Sequence, residues 1–304
     1  MNTSVSERCV SEGVWDLVGN TPMVRLSRIG AGVELCAKLE SANPSGSVKD
    51  RPAKAMILEA EREGTIGPGA TIVEATSGNT GISLAMLSAV RGYRCVLVMP
   101  EDMASTRRTI LRGYGAEMVM TPAVRGMRGA VEEAERIVSQ TPGAYMPRQF
   151  ENPENPRVHE LTTGEEIFRQ CDGHLDAIVA GVGTGGTLTG IARALLPRLP
   201  HLRVVAVEPK NSAVLSGGSP GLHALFGLGA GFVPPVLQRD LLSDIVSVTD
   251  LDAERMTTRL AKEEGLLVGP SSGANVHAAL QVARNLGSGK RVATILCDSG
   301  ERYL

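Results

Sequence analysis

Short apolar runs alternate with stretches of helical spacing along nearly the whole chain, and this alternation limits the fold more than any other feature. Glu34-Leu35-Cys36-Ala37-Lys38-Leu39-Glu40 alternates as a strand does, and Thr71–Ala75, Arg94–Pro100 and Glu117–Met120 are further strand-like runs. Between and after them, 53–61, 82–92, 103–114 and 129–140 carry helix formers with apolar residues on one face. A strand, a helix and a strand in that order predict parallel pairing with the helices packed on the sheet. Gln149-Phe150-Glu151-Asn152-Pro153-Glu154-Asn155-Pro156 breaks the pattern with two Asn-Pro turns, and the crossing between two domains is predicted there. The alternation then resumes: helix 164–170, strand 175–180, helix 188–196, strand 202–207, helices 252–264 and 274–285, and strand 291–297. Residues 212–235, rich in glycine and proline, are predicted to be irregular. At 304 residues the chain suits two domains, taking about 150 residues for each. The predicted fold class is α/β, as two three-layer α/β domains with mostly parallel sheets and a cleft between them.

A formal net charge of -2 with a sequence pI of about 6.3 argues against nucleic acid or an anionic membrane surface as partner. The first residues, 1–13, are polar, and no stretch reaches the roughly 20 apolar residues of a membrane span. A cytoplasmic protein acting on small molecules is expected. Cys9, Cys36, Cys95, Cys171 and Cys297 are odd in number and scattered, which suits reduced thiols rather than a disulfide framework. Cys171-Asp172-Gly173-His174 has no second ligand pair at zinc spacing, so it is read as a turn and no metal is expected.

Asn43-Pro44-Ser45-Gly46-Ser47-Val48-Lys49-Asp50-Arg51 puts one lysine where a turn gives way to a helix. The positive end of the helix dipole disfavours an ammonium there, so Lys49 is easier to deprotonate and apt to condense with a carbonyl. Gly181-Val182-Gly183-Thr184-Gly185-Gly186-Thr187 follows a strand and opens a helix, a setting in which amide N–H groups bind phosphate. Gly181, Gly183 and Gly186 also satisfy G-x-G-x-x-G, with Glu208 at a later strand end, so a dinucleotide-binding dehydrogenase is the rival. The hydroxyls of Thr184 and Thr187 suit a phosphomonoester better than a bridging pyrophosphate. Ala75-Thr76-Ser77-Gly78-Asn79-Thr80-Gly81 offers hydroxyls and helix amides to a carboxylate, and Gly269-Pro270-Ser271-Ser272-Gly273-Ala274 is a third polar strand-to-helix junction. A reactive lysine, a phosphate cup and polar loops are the parts that pyridoxal 5′-phosphate needs.

NPSGSVKDR, EATSGNTG, QFENPENP, GVGTGGTLTG and GPSSGA stand here in the order and approximate spacing of the cysteine synthases, and the chain closely resembles that family from about Val18 to Leu304. These O-acetylserine sulfhydrylases belong to the tryptophan-synthase-β-like pyridoxal-phosphate enzymes. The resemblance implies a smaller N-terminal α/β domain of 1–20 and 43–152 and a larger one of 21–42 and 153–304. It makes Lys49 the Schiff-base lysine, sets Asn79 on the cofactor's ring hydroxyl, and gives Gly183, Thr184, Gly185, Gly186 and Thr187 its phosphate. Ser271 would face the pyridine nitrogen, and Thr76, Ser77, Thr80 and Gln149 would take the substrate carboxylate. A serine there leaves the pyridine unprotonated, a weaker electron sink that favours β-elimination over transamination. The implied reaction takes O-acetyl-L-serine and sulfide to L-cysteine and acetate through an α-aminoacrylate, with Lys49 abstracting the Cα proton. O-phosphoserine as donor, and cystathionine or diaminopropionate as product, are the alternatives on this scaffold. A homodimer, and serine acetyltransferase docking its C-terminal tail in the cleft, are the implied partners.

Two features depart from the family pattern. Pro52 stands where a small or aliphatic residue is usual, which predicts a helix that begins late or kinks beyond Lys49, and relatives usually continue past Glu301-Arg302-Tyr303-Leu304. From Asn211 to Gln238 there is no lysine or arginine, so the wall beside the leaving group is expected to be uncharged and O-acetylserine to be preferred over O-phosphoserine, unless Arg107 or Arg125 reaches in.

Overall fold

A computed structural model describes residues 10–76, 78–102 and 105–304. In chain order the elements are β1 (Met23–Arg25), β2 (Glu34–Leu39), α1 (Asp50–Arg62), β3 (Thr71–Ala75), α2 (Asn79–Arg91), β4 (Arg94–Pro100), α3 (Ser105–Gly113), β5 (Glu117–Thr121), α4 (Gly126–Gln140) and β6 (Ala144–Tyr145). There follow α5 (Glu154–Val158), which runs through a π-helical turn at His159–Gly164 into α6 (Glu165–Gln170), then β7 (Ala177–Gly181), α7 (Gly186–Leu195), β8 (Arg203–Pro209), β9 (Asp244–Val248), α8 (Asp250–Arg259), α9 (Pro270–Leu286) and β10 (Arg291–Leu296).

The strands form two sheets. One is wholly parallel, in the order β5-β4-β3-β6; the other runs β1-β2-β10-β7-β8-β9, parallel except for the β1–β2 pair. Both faces of each sheet are buried. In the larger one, Val179, Val205 and Val207 face α8 and α9, while Ile178, Val204 and Ala206 face α6 and α7. In the smaller one, Ile72 and Leu97 face α1 and α2, and Val73 and Val98 face α4. Burial on both faces explains why these strands are continuous apolar runs in the sequence.

Three local expectations are corrected. The helix after Lys49 begins at once, at Asp50, because Pro52 falls in its first turn, where the missing N–H would have no intrahelical partner. Its first helical bond, Ala53 N to Lys49 O at 3.1 Å, closes around the proline. The Asn-Pro pairs open a helix instead of forming turns: Asn152 Oδ1 accepts the Glu154 N–H at 3.0 Å, and Pro153 and Pro156 supply helix-compatible φ. Strands β1, β6 and β9 are additions that the sequence pattern did not indicate.

The order β2-β10-β7 makes neighbours of three C-terminal strand ends: the Lys49 turn, Cys297-Asp298 and the glycine loop. Ligands of open α/β sheets bind in crevices at such ends.

Candidate active site

Lys49 is held by the strand next to it. Val48 N donates to Cys297 O at 2.9 Å, Ser47 and Asp298 form an isolated antiparallel bridge, and the Lys49 N–H reaches Ser47 Oγ at 3.3 Å. The side chain keeps some surface open to the cleft but is enclosed by protein, and this burial pushes its ammonium pKa down, against the opposing pull of Cys297 and Asp298. Burial of the side chain, which the sequence does not reveal, is thus the leading cause of its readiness to lose a proton. The Cys297 thiol beside it is itself pushed up to about 12, first by burial and then by Asp298, so it stays protonated.

Lys49, Asn79, Gly183, Thr184, Thr187 and Ser271 line one cavity. The glycine loop can be nothing else in places: a Cβ on Gly183 would lie 2.1 Å from Gly227 O, and Gly185 sits at φ +84. Helix α7 starts at Gly186 and points its amide end into the cavity's wall. Ser271 is buried in the first turn of α9. Glu208, needed by the dinucleotide rival, is turned away: its carboxylate accepts from Leu215 N at 2.8 Å and Ser216 Oγ at 2.5 Å.

The polar loop after β3 brings Thr76, Asn79 and Thr80 to the same opening, with Gln149 beside them. Thr80 Oγ1 donates to Gln149 Oε1 at 2.6 Å. Asn79 donates through Nδ2 to Asp298 Oδ2 at 2.6 Å and accepts from Arg302 Nη1 at 2.5 Å. Arg302 also donates to Ser45 O, and Tyr303 OH to Asp298 Oδ2 at 2.6 Å, so the end of the chain is laid against the site. Ser77 lies outside the described residues.

The outer cleft is a cavity of about 690 Å³. Segment 211–238 does present an uncharged wall, but Arg128, Arg148 and Arg107 line the cleft, the Arg107 guanidinium lying 5.5 Å from the Phe226 ring and 5.4 Å from the Tyr303 ring. Arg125 is engaged elsewhere, with Glu132 at 2.5 Å. Glu74, also on the cleft, is raised to about 7 by burial, in spite of N–H bonds from Ala75 and Arg148.

The description that matches this chain, over residues 14–298, is that of the pyridoxal-phosphate-dependent enzymes. The chain belongs to that family. A cysteine synthase of Staphylococcus aureus is 51% identical over 296 residues, covering 96% of this chain and 95% of that protein. Among solved structures, cysteine synthase from Entamoeba histolytica superposes with a TM-score of 0.95 at 36% identity, covering 100% of this chain and 92% of that one. An O-acetylserine-dependent cystathionine β-synthase from Helicobacter pylori gives 0.92 at 38% identity, with 97% of each chain covered.

The residues present fit the family's cofactor. Two hydroxyls and the start of α7 surround a glycine-lined cradle, closed so tightly at Gly183 that a Cβ there would strike Gly227 O, and an amine with a lowered pKa shares that cavity. Asn155, His159 and Glu74 are the site residues that sequence reasoning missed, whereas Arg107, named there as one that could reach in, does line the cleft. Only Glu74 carried a signal, as a carboxylate inside an otherwise apolar strand with both faces buried.

Proposed function

We propose that the chain catalyses a pyridoxal-phosphate-dependent β-replacement, O-acetyl-L-serine and sulfide giving L-cysteine and acetate. The observation that carries this reading is the one cavity shared by Lys49, the Gly183–Thr187 loop and Ser271. Lys49 anchors the cofactor, Asn79 and Ser271 address its ring, and the Gly183–Thr187 loop takes its phosphate. Thr76, Ser77, Thr80 and Gln149, with the first amides of α2, take the substrate carboxylate. When bound, the cofactor supplies an electron-withdrawing ring that lowers the cost of negative charge at the substrate Cα. Burial lowers the pKa of Lys49, which eases its loss of a proton, and its Nζ takes the Cα proton. Ser271 offers the ring nitrogen a hydroxyl and no carboxylate, so this chain supplies no strong acid at that atom. Phe226 and Tyr303, with ring centroids 6.1 Å apart, form an apolar stretch of the cleft wall that keeps water from the reacting carbon.

Donor and nucleophile are read in one product analysis. With equal sulfide, kcat/KM for O-acetylserine is expected to exceed that for O-phosphoserine, since segment 211–238 offers no cation, and sulfide is expected to outcompete homocysteine. A preference for O-phosphoserine would show that a cleft arginine, Arg107, Arg128 or Arg148, serves as the phosphate's partner, and a preference for homocysteine would move the assignment to cystathionine synthesis.

A homodimer in the cytoplasm, able to bind the C-terminal tail of serine acetyltransferase in the open cleft, completes the reading. Light scattering should give twice the chain mass of 32.0 kDa, rising on addition of the acetyltransferase. A monomer at micromolar concentration, or a mass unmoved by the acetyltransferase, would count against the corresponding half.

A further inference from the structure

Behind the glycine loop, the helical stretch that begins at α5 presses two buried polar side chains against the two threonines of the cup. Asn155 and His159 are 2% and 1% exposed, so each of their hydrogen bonds has to be accounted for within the protein. Asn155 Nδ2 donates to Gln149 O at 2.7 Å and to Thr184 Oγ1 at 3.0 Å. Thr184 Oγ1 also accepts the Gly186 N–H at 3.3 Å. A hydroxyl oxygen has two lone pairs and one proton. Both lone pairs of Thr184 are therefore engaged from behind, and its proton is left to point away from Asn155, into the cavity.

His159 does the same for Thr187 through its tautomer. Its Nδ1 lies 2.9 Å from Thr163 Oγ1 and its Nε2 lies 3.2 Å from Thr187 Oγ1. Thr163 is fully buried, and among the described residues its hydroxyl has no other side-chain or backbone acceptor. With the Thr163 proton given to Nδ1, that proton is satisfied, and a neutral ring then carries its own hydrogen on Nε2, which donates to Thr187 Oγ1. The reverse tautomer would strand the Thr163 proton in the interior and draw the Thr187 proton back toward the ring. The ring is neutral, since burial, then the charges of Arg51 and Lys49, lower its pKa well below 6.5.

We infer that Asn155 and His159 are positioning residues that aim the hydroxyl protons of Thr184 and Thr187 into the phosphate cup. The inference rests on the reading of that loop as the cofactor's phosphate site. It makes the cup a set of directed donors, filled from behind, in place of two rotors that a dianion must first organise.

The test compares pyridoxal 5′-phosphate with pyridoxal, which lacks the phosphate, as ligands of the full chain freed of cofactor. The readout is the ratio of their dissociation constants, measured by absorbance or fluorescence titration. A change in general stability moves both constants together, whereas loss of an aimed donor moves the ratio. Thr187→Val and Thr184→Val establish whether the cup reads the phosphate at all. His159→Gln can place an N–H near the Nε2 position, while His159→Asn reaches only the Nδ1 position, and both keep a polar side chain. The expected result is that Thr187→Val, Thr184→Val, Asn155→Ala and His159→Asn each cut the preference for the phosphorylated ligand by about tenfold or more. His159→Gln should retain most of it, and His159→Asn should add little once Thr187→Val is in place. If Thr187→Val cuts the preference while His159→Asn and His159→Gln behave alike, or His159→Asn weakens both ligands equally, the positioning role of His159 is overturned and the cup reading stands. The same holds for Asn155 if Asn155→Ala weakens both ligands equally. If neither Thr187→Val nor Thr184→Val changes the preference, the cup reading fails and the inference falls with it.

Discussion

Lys49→Ala is expected to lower turnover by about 10³-fold or more, because in the proposed mechanism one substitution removes both the anchor of the cofactor and the base at the substrate Cα. The structure makes this residue hard to replace from nearby. The cavity's other titratable neighbour, Cys297, has its pKa pushed up to about 12 and stays protonated at neutral pH. Two measurements check the expectation. Turnover with O-acetylserine and sulfide should fall, and borohydride treatment followed by mass spectrometry should no longer fix the cofactor to the peptide that contains position 49. A variant that retained more than about a tenth of the activity would remove Lys49 from the proton transfer. A variant still labelled at another lysine would move the anchor.

Arg51→Ala is expected to have the largest effect on stability, about 3–5 kcal/mol, by the reasoning for a buried ion cluster that loses one member. Arg51 is 1% exposed and grips two carboxylates from different parts of the chain. Its Nε and Nη2 donate to Glu40 at 2.8 Å each, and its Nη1 and Nη2 donate to Glu166 at 2.8 Å each. Lys38 adds a second cation to Glu166 at 2.7 Å. Burial alone would raise the Glu166 pKa, but Arg51 and then Lys38 outweigh it and hold it down at about 2. A carboxylate lowered on folding contributes stability above its unfolded pKa, near 4.5, and loses that contribution as the pH falls from there toward 2. Denaturant titrations at neutral pH should show the loss in Arg51→Ala, and the native chain should weaken through that acid window. A change under about 1 kcal/mol would mean that water reaches the two carboxylates when the guanidinium is gone.

The architecture was legible because strands buried on both faces write themselves as apolar runs. Thr71–Ala75 and Arg94–Pro100 were bounded correctly for that reason. Met23–Arg25 and Ala144–Tyr145 were invisible because two or three residues hold no period, and β9 because it is an edge strand with both its ends on polar residues or turns. Helix starts were placed late wherever a cap precedes the apolar face, as at Thr249, whose side chain accepts the Asp252 N–H. In the site, the lysine turn and the glycine loop were legible since each is a contiguous run with its own backbone chemistry. Arg107 could be named only beside Arg125 as a candidate, because it reaches the cleft from α3 through contacts with Phe226 and Tyr303, far along the chain. His159 looks in sequence like any polar residue on a helix, and only its neighbours across space give it direction.

The helical stretch from Glu154 to Gln170 has one further consequence. It packs on both α1 and α7, and one of its sides carries Asn155, His159, Thr162 and Glu166 in succession. The first two touch the phosphate cup; the last two hold Arg51, two residues from the lysine. On the proposed reading, the anchoring lysine and the phosphate cup are thus braced by one continuous helical stretch, so that a change in its length, such as loss of the π-helical turn at His159–Gly164, would alter the spacing that the cofactor has to match.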